Sequence, residues 1–273
     1  MVDRPDDASF RRLTDKVFRE RGFGCANYKE RCLRRRIAVR MRAKGVHTYE
    51  DYARILDGDA LEYERLLDAL TINVTRLFRN REVFEKLAAH VIPDLWSWSA
   101  PRLRFWSAGC ASGEETYSLA VLLHQHVAAR GETSRVARVD ILGTDIHTPS
   151  LDAAAEAAYP DSAFEEVPTD VRSTYFSAGP PPYRVCADLQ RLVRFQVHDL
   201  LRDAAPAAGF ALIACRNVMI YFDRASQERL FDGFHAALAP GGFLVLGMVE
   251  TLFGDARRRF APVDARARIF RRL

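Results

Sequence analysis

No Cys-x-x-Cys pair occurs in this chain, and its five cysteines (Cys25, Cys32, Cys110, Cys186 and Cys215) are an odd number. That excludes a zinc ribbon and a disulfide framework, so reduced thiols and no bound metal are expected. No apolar run approaches the ~20 residues that would span a bilayer. The opening Met1-Val-Asp-Arg-Pro-Asp-Asp is acidic and polar, without the basic and apolar regions of a secretory leader. A soluble, cytoplasmic protein with no membrane insertion is expected. Internal repeats and low-complexity segments are missing as well. The charge is also close to balanced: 40 basic against 36 acidic side chains leave a net +4, too little to imply nucleic-acid binding.

What is present is ordinary globular material. The 273 residues are 48% apolar and 28% charged, enough to build a core without disulfides or metal. Residues 10–98 read as helical throughout, with Phe10, Leu13, Val17 and Phe18, and then Leu33, Ile37 and Met41, at helical spacing. Asn80 has the character of an N-cap for a helix carrying Val83, Phe84, Leu87 and Val91.

The pattern changes at Pro101. Leu103-Arg-Phe-Trp-Ser-Ala, Val139-Asp-Ile-Leu-Gly-Thr-Asp and Phe210-Ala-Leu-Ile-Ala-Cys read as buried strands separated by helices. Pro240-Gly-Gly reads as a turn into a strand from Phe243, and residues 260–270 as a closing antiparallel pair. Alternating strands and helices predict a parallel α/β sheet. Residues 160–190, with three consecutive prolines, read as a small β-rich insertion before Leu192–Val197 returns to the main sheet. The expected organisation is a helical domain over 1–80 and an α/β domain over 81–273.

Four segments carry chemistry. Ser107-Ala-Gly-Cys-Ala-Ser-Gly-Glu-Glu lies where a strand gives way to a helix, and its glycines let the backbone approach a ligand. Glu114 and Glu115 open that helix, where they suit its dipole but would repel a phosphate. A simple strand-to-helix turn explains the same spacing. Asp145 ends the second strand, where an acid accepts hydrogen bonds from ribose hydroxyls; capping the next helix is the plainer role, and Thr148 could fill it instead. Cys215-Arg-Asn-Val-Met-Ile-Tyr-Phe follows another strand, so Asn217 and Tyr221 point toward the same crevice, although taken singly Tyr221 suits a core aromatic with a wet hydroxyl. Thr71-Ile-Asn-Val-Thr-Arg-Leu-Phe-Arg links the helical and α/β regions.

Together these segments resemble the CheR family of chemoreceptor glutamate methyltransferases over nearly the whole chain. Residues 71–79 resemble the family's Thr-Asn-x-Thr-x-Phe-Phe-Arg motif, with Ile72 and Leu77 as departures. Ser107–Ser118 resembles its glycine loop, with Thr116 where proline is usual, and Arg216–Phe222 matches its Arg-Asn-Val-x-Ile-Tyr-Phe motif intact. Pro240-Gly-Gly-Phe-Leu and Gly247-Met-Val-Glu250 also match, while His198-Asp199-Leu200 stands where the family has Asn-Leu.

The resemblance implies a Rossmann-like class I methyltransferase sheet, an all-helical N-terminal domain and a small β-subdomain that docks receptors. It implies S-adenosylmethionine as methyl donor, with S-adenosylhomocysteine as product. Asn73, Thr75, Arg79, Glu114, Glu115, Asp145, Asp199, Leu200, Arg216 and Asn217 would bind the cofactor, and Arg79 and Tyr221 would lie nearest the transferred methyl. The partner implied is the cytoplasmic helical bundle of a chemoreceptor, approached by a monomer. A glutamate nucleophile, with a pKa of about 4.3, is already ionised near neutrality, so no general base is required. Arg31, Arg34, Arg35, Arg36, Arg40 and Arg42 crowd one helix, either as a solvated face or as a docking surface for acidic receptor helices; RNA binding lacks interleaved aromatics. Two alternatives remain at this level: a class I methyltransferase with another substrate, and a non-catalytic cofactor-sensing scaffold.

Overall fold

A computed structural model describes residues 5–71 and 74–273. The described residues divide into two compact units, 5–71 with Tyr221–Ser226, and 74–220 with Gln227–Leu273.

The first unit holds four helices: α1 (Pro5–Arg21), α2 (Glu30–Ala43), α3 (Tyr49–Gly58) and α4 (Ala60–Leu70). Gly22 directly follows α1 and Gly45 lies two residues past α2, both glycines at positive φ, so the expected helical stretch is broken at those points. Phe10, Leu13 and Val17 meet Leu33, Ile37, Tyr52 and Leu66 in one buried cluster. Phe18 shares their spacing but is 48% exposed. Thr48 caps α3 by accepting from Asp51 N, and Asp59 caps α4 by accepting from Glu62 N. The Tyr221–Ser226 segment belongs here through backbone bonds: Lys29 N donates to Tyr221 O (2.8 Å) and Asp223 N to Asn27 O (2.9 Å).

Helix α2 does not present a uniform basic face. The guanidinium of Arg34 is held by Asp6, Asp7 and Glu30 and stacks over Phe10 at 4.1 Å. Arg40 reaches Glu62, whose side chain is fully buried and also accepts from Tyr52 Oη at 2.8 Å. Arg36 donates to Ala69 O and lies 5.5 Å from the Tyr221 ring centroid. Arg31, Arg35 and Arg42 remain exposed.

In the second unit, α5 (Arg81–Lys86) and α6 (Ile92–Trp96) are joined by one wide π turn, Leu87–Val91, which ends just before Pro93 removes an N–H from the helical ladder. The sheet follows: β1 (Leu103–Ala108), α7 (Glu114–Ala129), β2 (Val139–Asp145), α8 (Thr148–Glu156), β5 (Val193–Val197), β6 (Phe210–Cys215), α11 (Arg224–Ala237), β7 (Leu238–Leu246), then α12 (Ala256–Arg259), β8 (Phe260–Asp264) and β9 (Ile269–Arg272). The strand order is β5-β2-β1-β6-β7-β9-β8, parallel except at β9, which runs antiparallel to β7 and β8. This is a Rossmann-like doubly wound sheet with an antiparallel edge. Pro240-Gly-Gly lies inside β7 as an irregular stretch rather than before it.

The insertion is less strand-rich than its sequence predicts. It consists of a ribbon of β3 (Ala158–Tyr159) and β4 (Tyr183–Arg184), with α9 (Thr169–Tyr175) between them and α10 (Ala187–Gln190) after. Side-chain packing adds to its few backbone bonds: Phe164 packs edge-on to Phe176 and Tyr183, and Arg172 lies over the Tyr183 ring at 4.3 Å. Such packing leaves no period-two signal.

Glu62 yields a stability prediction. Burial opposes its ionisation, yet the bonds from Arg40 and Tyr52 hold its carboxyl below the usual range. A depressed acid contributes stability above its unfolded pKa, so that contribution is lost as pH falls through the lower, folded value. Glu62→Gln should destabilise the protein by about 2–3 kcal/mol, less than a fully buried pair because Arg40 still reaches water. Urea unfolding at pH 7 measures the loss, and the gap from wild type should narrow at acid pH.

Candidate active site

From β1 the chain builds outward through β2 and β5, then crosses back to start β6 on the other side of β1. Between β1 and β6 the winding therefore reverses, and ligands of open α/β sheets bind outside the strand ends at such a point. The residues following Ala108 and Cys215 stand there.

After β1 the glycine loop folds back on β2. Gly109 N and Cys110 N both donate to Thr144 O, at 2.8 and 2.9 Å. Gly109 and Gly113 have φ of +80° and +89°, and a Cβ on Gly109 would fall 2.5 Å from Val218 Cγ2. Loop geometry and close packing, rather than any phosphate, thus explain both glycines.

Three carboxylates take different positions. Asp145 Oδ2 accepts from Ala111 N (2.8 Å) and Oδ1 from His147 N (3.0 Å), so it anchors the glycine loop as well as the start of α8. Thr148 does not cap α8; His147 holds that position, and its ring Nδ1 pairs with Ser150 Oγ at 2.8 Å rather than with a backbone N–H. Glu115 Oε1 accepts from Ser107 Oγ at 2.7 Å, and its Oε2 from Arg216 Nη1 at 3.4 Å. Glu114 accepts from Ser112 Oγ through both oxygens, and burial pushes its carboxyl up.

Arg216 binds these parts together. Its side chain is 3% exposed. Besides Glu115, it donates from Nη2 to Arg79 O (2.8 Å) and Asn80 Oδ1 (3.0 Å). Burial pulls its pKa down, Glu115 opposes that, and Arg79 adds to it. Asn80 therefore stands at the N-cap position of α5 but makes no cap bond: with φ at +60°, its side-chain oxygen serves Arg216 instead.

Asn217 has φ of +61°. Its buried Oδ1 has no hydrogen-bond partner among the described residues, and neither has Arg216 Nε. An orphaned acceptor on the residue after Arg216, which itself pairs with Glu115, suits a ligand that brings donors or positive charge. The ammonium and ribose hydroxyls of S-adenosylmethionine fit this set, and a phosphate would not.

Of the remaining candidates, Thr75 and Arg79 lie in a segment pinned to the α/β unit. Phe78 N donates to Ser118 Oγ and Leu77 N to Ala163 O, while Arg79 Nη1 donates to Val74 O. His198 N donates to Asp145 O at 2.9 Å, which sets the 199–200 turn beside Asp145. In that turn Asp199 Oδ1 accepts from Leu201 N, and Leu200 lines a cavity of about 230 Å³ with Trp106, His198 and Phe234. Tyr221 packs within the helical unit, and Asn73 lies outside the described residues. Sequence reasoning gave Glu250 no role, yet its buried carboxylate accepts from the backbone of Asn217, Ile220 and Gly247. Its place in Gly247-Met-Val-Glu250 matches the family pattern but carries no local sign of the amides it accepts from.

Two family descriptions match the chain. "CheR methyltransferase, SAM binding domain" covers residues 73–269, and "CheR methyltransferase, all-alpha domain" covers 8–71. A chemotaxis protein methyltransferase of Listeria innocua is 34% identical over 92% of this chain and 93% of its own length. One from Klebsiella aerogenes is 33% identical over 93% and 86%, and the putative methyltransferase Cher3 of Pseudomonas putida 31% identical over 99% and 98%. Among solved structures, a TehB-like SAM-dependent methyltransferase from Corynebacterium glutamicum is 18% identical, with a TM-score of 0.38 over 71% of this chain and 94% of that one. Carboxylates without a phosphate cradle at the switch point, and two family domains in order, lead to one conclusion: this chain belongs to the CheR methyltransferase family and is an S-adenosylmethionine-dependent methyltransferase.

Proposed function

We propose that the protein transfers a methyl group from S-adenosylmethionine to glutamate side chains on the cytoplasmic helical bundle of a chemoreceptor, forming methyl esters. The observation that carries this reading is the site's polarity, with Glu115 in the first turn of α7, Asp145 at the end of β2 and, after β6, an Asn217 acceptor with no partner among the described residues, in a chain whose relatives are named chemotaxis protein methyltransferases. The proposed pathway starts with a cationic ligand held by Glu115, Asn217 and Asp145, with Thr75, Asp199, Leu200 and Arg216 completing its surroundings.

S-adenosylmethionine supplies an electrophilic methyl on a sulfonium. The chain has only to align an ionised carboxylate with that methyl and exclude water, and well-oriented proximity is worth roughly 7–11 kcal/mol. Arg79 steers the incoming carboxylate, without a contact so tight that it quenches the nucleophile, and Tyr221 orients it by hydrogen bond. No histidine has to act as base. His198 is buried against Trp106, and burial pulls its pKa down, opposed by Asp203 and Asp199. Receptor docking is assigned to the 160–190 insertion and to Arg31, Arg35 and Arg42, since Arg34 and Arg40 are committed to intramolecular acids. The enzyme is taken to act as a monomer in the cytoplasm.

Three outcomes follow. Asp145→Ala should weaken S-adenosylhomocysteine binding by about 1–3 kcal/mol, because ribose hydroxyls and the Ala111 amide lose their acceptor; calorimetric affinity equal to wild type would remove Asp145 from the site. Arg79→Ala and Tyr221→Phe should slow single-turnover methyl transfer more than they weaken cofactor binding, and unchanged single-turnover rates refute both roles. Raising salt from 0.1 to 1 M shortens the Debye length from about 10 to about 3 Å. Receptor KM should therefore climb steeply with salt for wild type, and less for a triple Arg31, Arg35, Arg42→Glu variant that starts higher; superimposable curves would leave α2 as ordinary surface.

A further inference from the structure

We infer that Glu250 is a positioning residue for the cofactor pocket: its carboxylate sets the 216–220 turn and, through it, the side chains of Arg216 and Asn217. The inference rests on the cofactor placement proposed above. Backbone amides from two neighbouring strand ends converge on this one side chain. Beyond β6, Asn217 N donates to Oε2 at 3.1 Å and Ile220 N to Oε1 at 3.2 Å; beyond β7, Gly247 N donates to Oε2 at 2.5 Å. Glu250 is 6% exposed, so these amides stand in for lost water.

The surroundings are built for this contact. A Cβ on Gly247 would lie 2.7 Å from both Asn217 N and Glu250 Oε2, so only glycine lets the two strand ends close on the carboxylate. Asn217 sits at a φ of +61°, in the left-handed region that asparagine tolerates better than other residues with a Cβ. The bond from its own N–H to Glu250 opposes relaxation of that turn. The same turn carries Val218 against Gly109, so a shift in it would displace the glycine loop too. Burial pushes the Glu250 carboxyl up, and the converging amides restrain that rise.

An acceptor-only group is required. Glutamine has the same size, but it would turn an NH2 toward an amide N–H and lose an acceptor. Aspartate is shorter but keeps both acceptor oxygens. If Glu250 merely filled space, glutamine would be the better substitute; if it gathers amides, aspartate would be.

S-adenosylhomocysteine binding to the full chain, measured by calorimetry, decides. The expected result is a Kd at least tenfold higher in Glu250→Gln, a smaller loss in Glu250→Asp, and at least a tenfold loss in Gly247→Ala, which wedges the same contact from the other side. Glu62→Gln, a destabilised control in the helical unit, should stay within twofold of wild type. A folded Glu250→Gln with wild-type affinity, or one that binds better than Glu250→Asp, overturns the inference. Should Glu250→Gln not fold, wild-type affinity in Gly247→Ala overturns it equally. Wild-type protein that fails to bind S-adenosylhomocysteine would instead overturn the cofactor placement.

Discussion

Taking a guanidinium out of water is costly unless its N–H groups find acceptors and its charge finds a partner. Arg216 is buried under that constraint, and its neighbours are arranged to meet it. A carboxylate from the first turn of α7 reaches it from one part of the α/β unit, and the Arg79 carbonyl and Asn80 side-chain oxygen reach it from the segment before α5. The Phe84 ring lies 5.3 Å from the guanidinium carbon. Removing any one partner leaves the others facing an under-satisfied charge, so the segment before α5, the glycine loop and the end of β6 are constrained jointly. Asn80 shows the consequence most directly, giving up its helix-capping bond and taking a left-handed conformation to serve Arg216.

The chemistry of the site follows from how its acids are held. Asp145 and Glu115 are tied to backbone amides, a serine and an arginine, and so are oriented before any ligand arrives. Preorganised carboxylates favour a ligand with an ammonium and hydroxyls. The proposed nucleophile needs no deprotonation, so the demand on the protein is alignment rather than proton transfer. That accounts for a site rich in fixed hydrogen bonds.

Much of this could be read along the chain. The strands at Leu103, Val139 and Phe210 announced themselves by apolar runs ending in small residues, and the parallel order followed from their alternation with helices. The glycine loop and the Arg216–Phe222 motif were legible because each is contiguous. Contacts between distant positions were not. Glu250 lies 33 residues from Asn217, and nothing local marks it as the acceptor of that amide. Arg34 and Arg40 look like their exposed neighbours on α2, and only tertiary placement of Asp7 and Glu62 turns them inward. Residues 160–190 misled for a related reason: their aromatic packing is long-range and leaves no local period. Tyr221 follows β6 in sequence, yet its backbone and ring pack within the helical unit.

The proposed methyl acceptor is a receptor glutamate, and the bond formed identifies it. Receptor cytoplasmic fragments incubated with the protein and methyl-labelled S-adenosylmethionine should gain label that mild alkali releases as volatile methanol, as an ester requires. Label that survives alkali, or none on the fragments, would contradict a glutamate methyl ester.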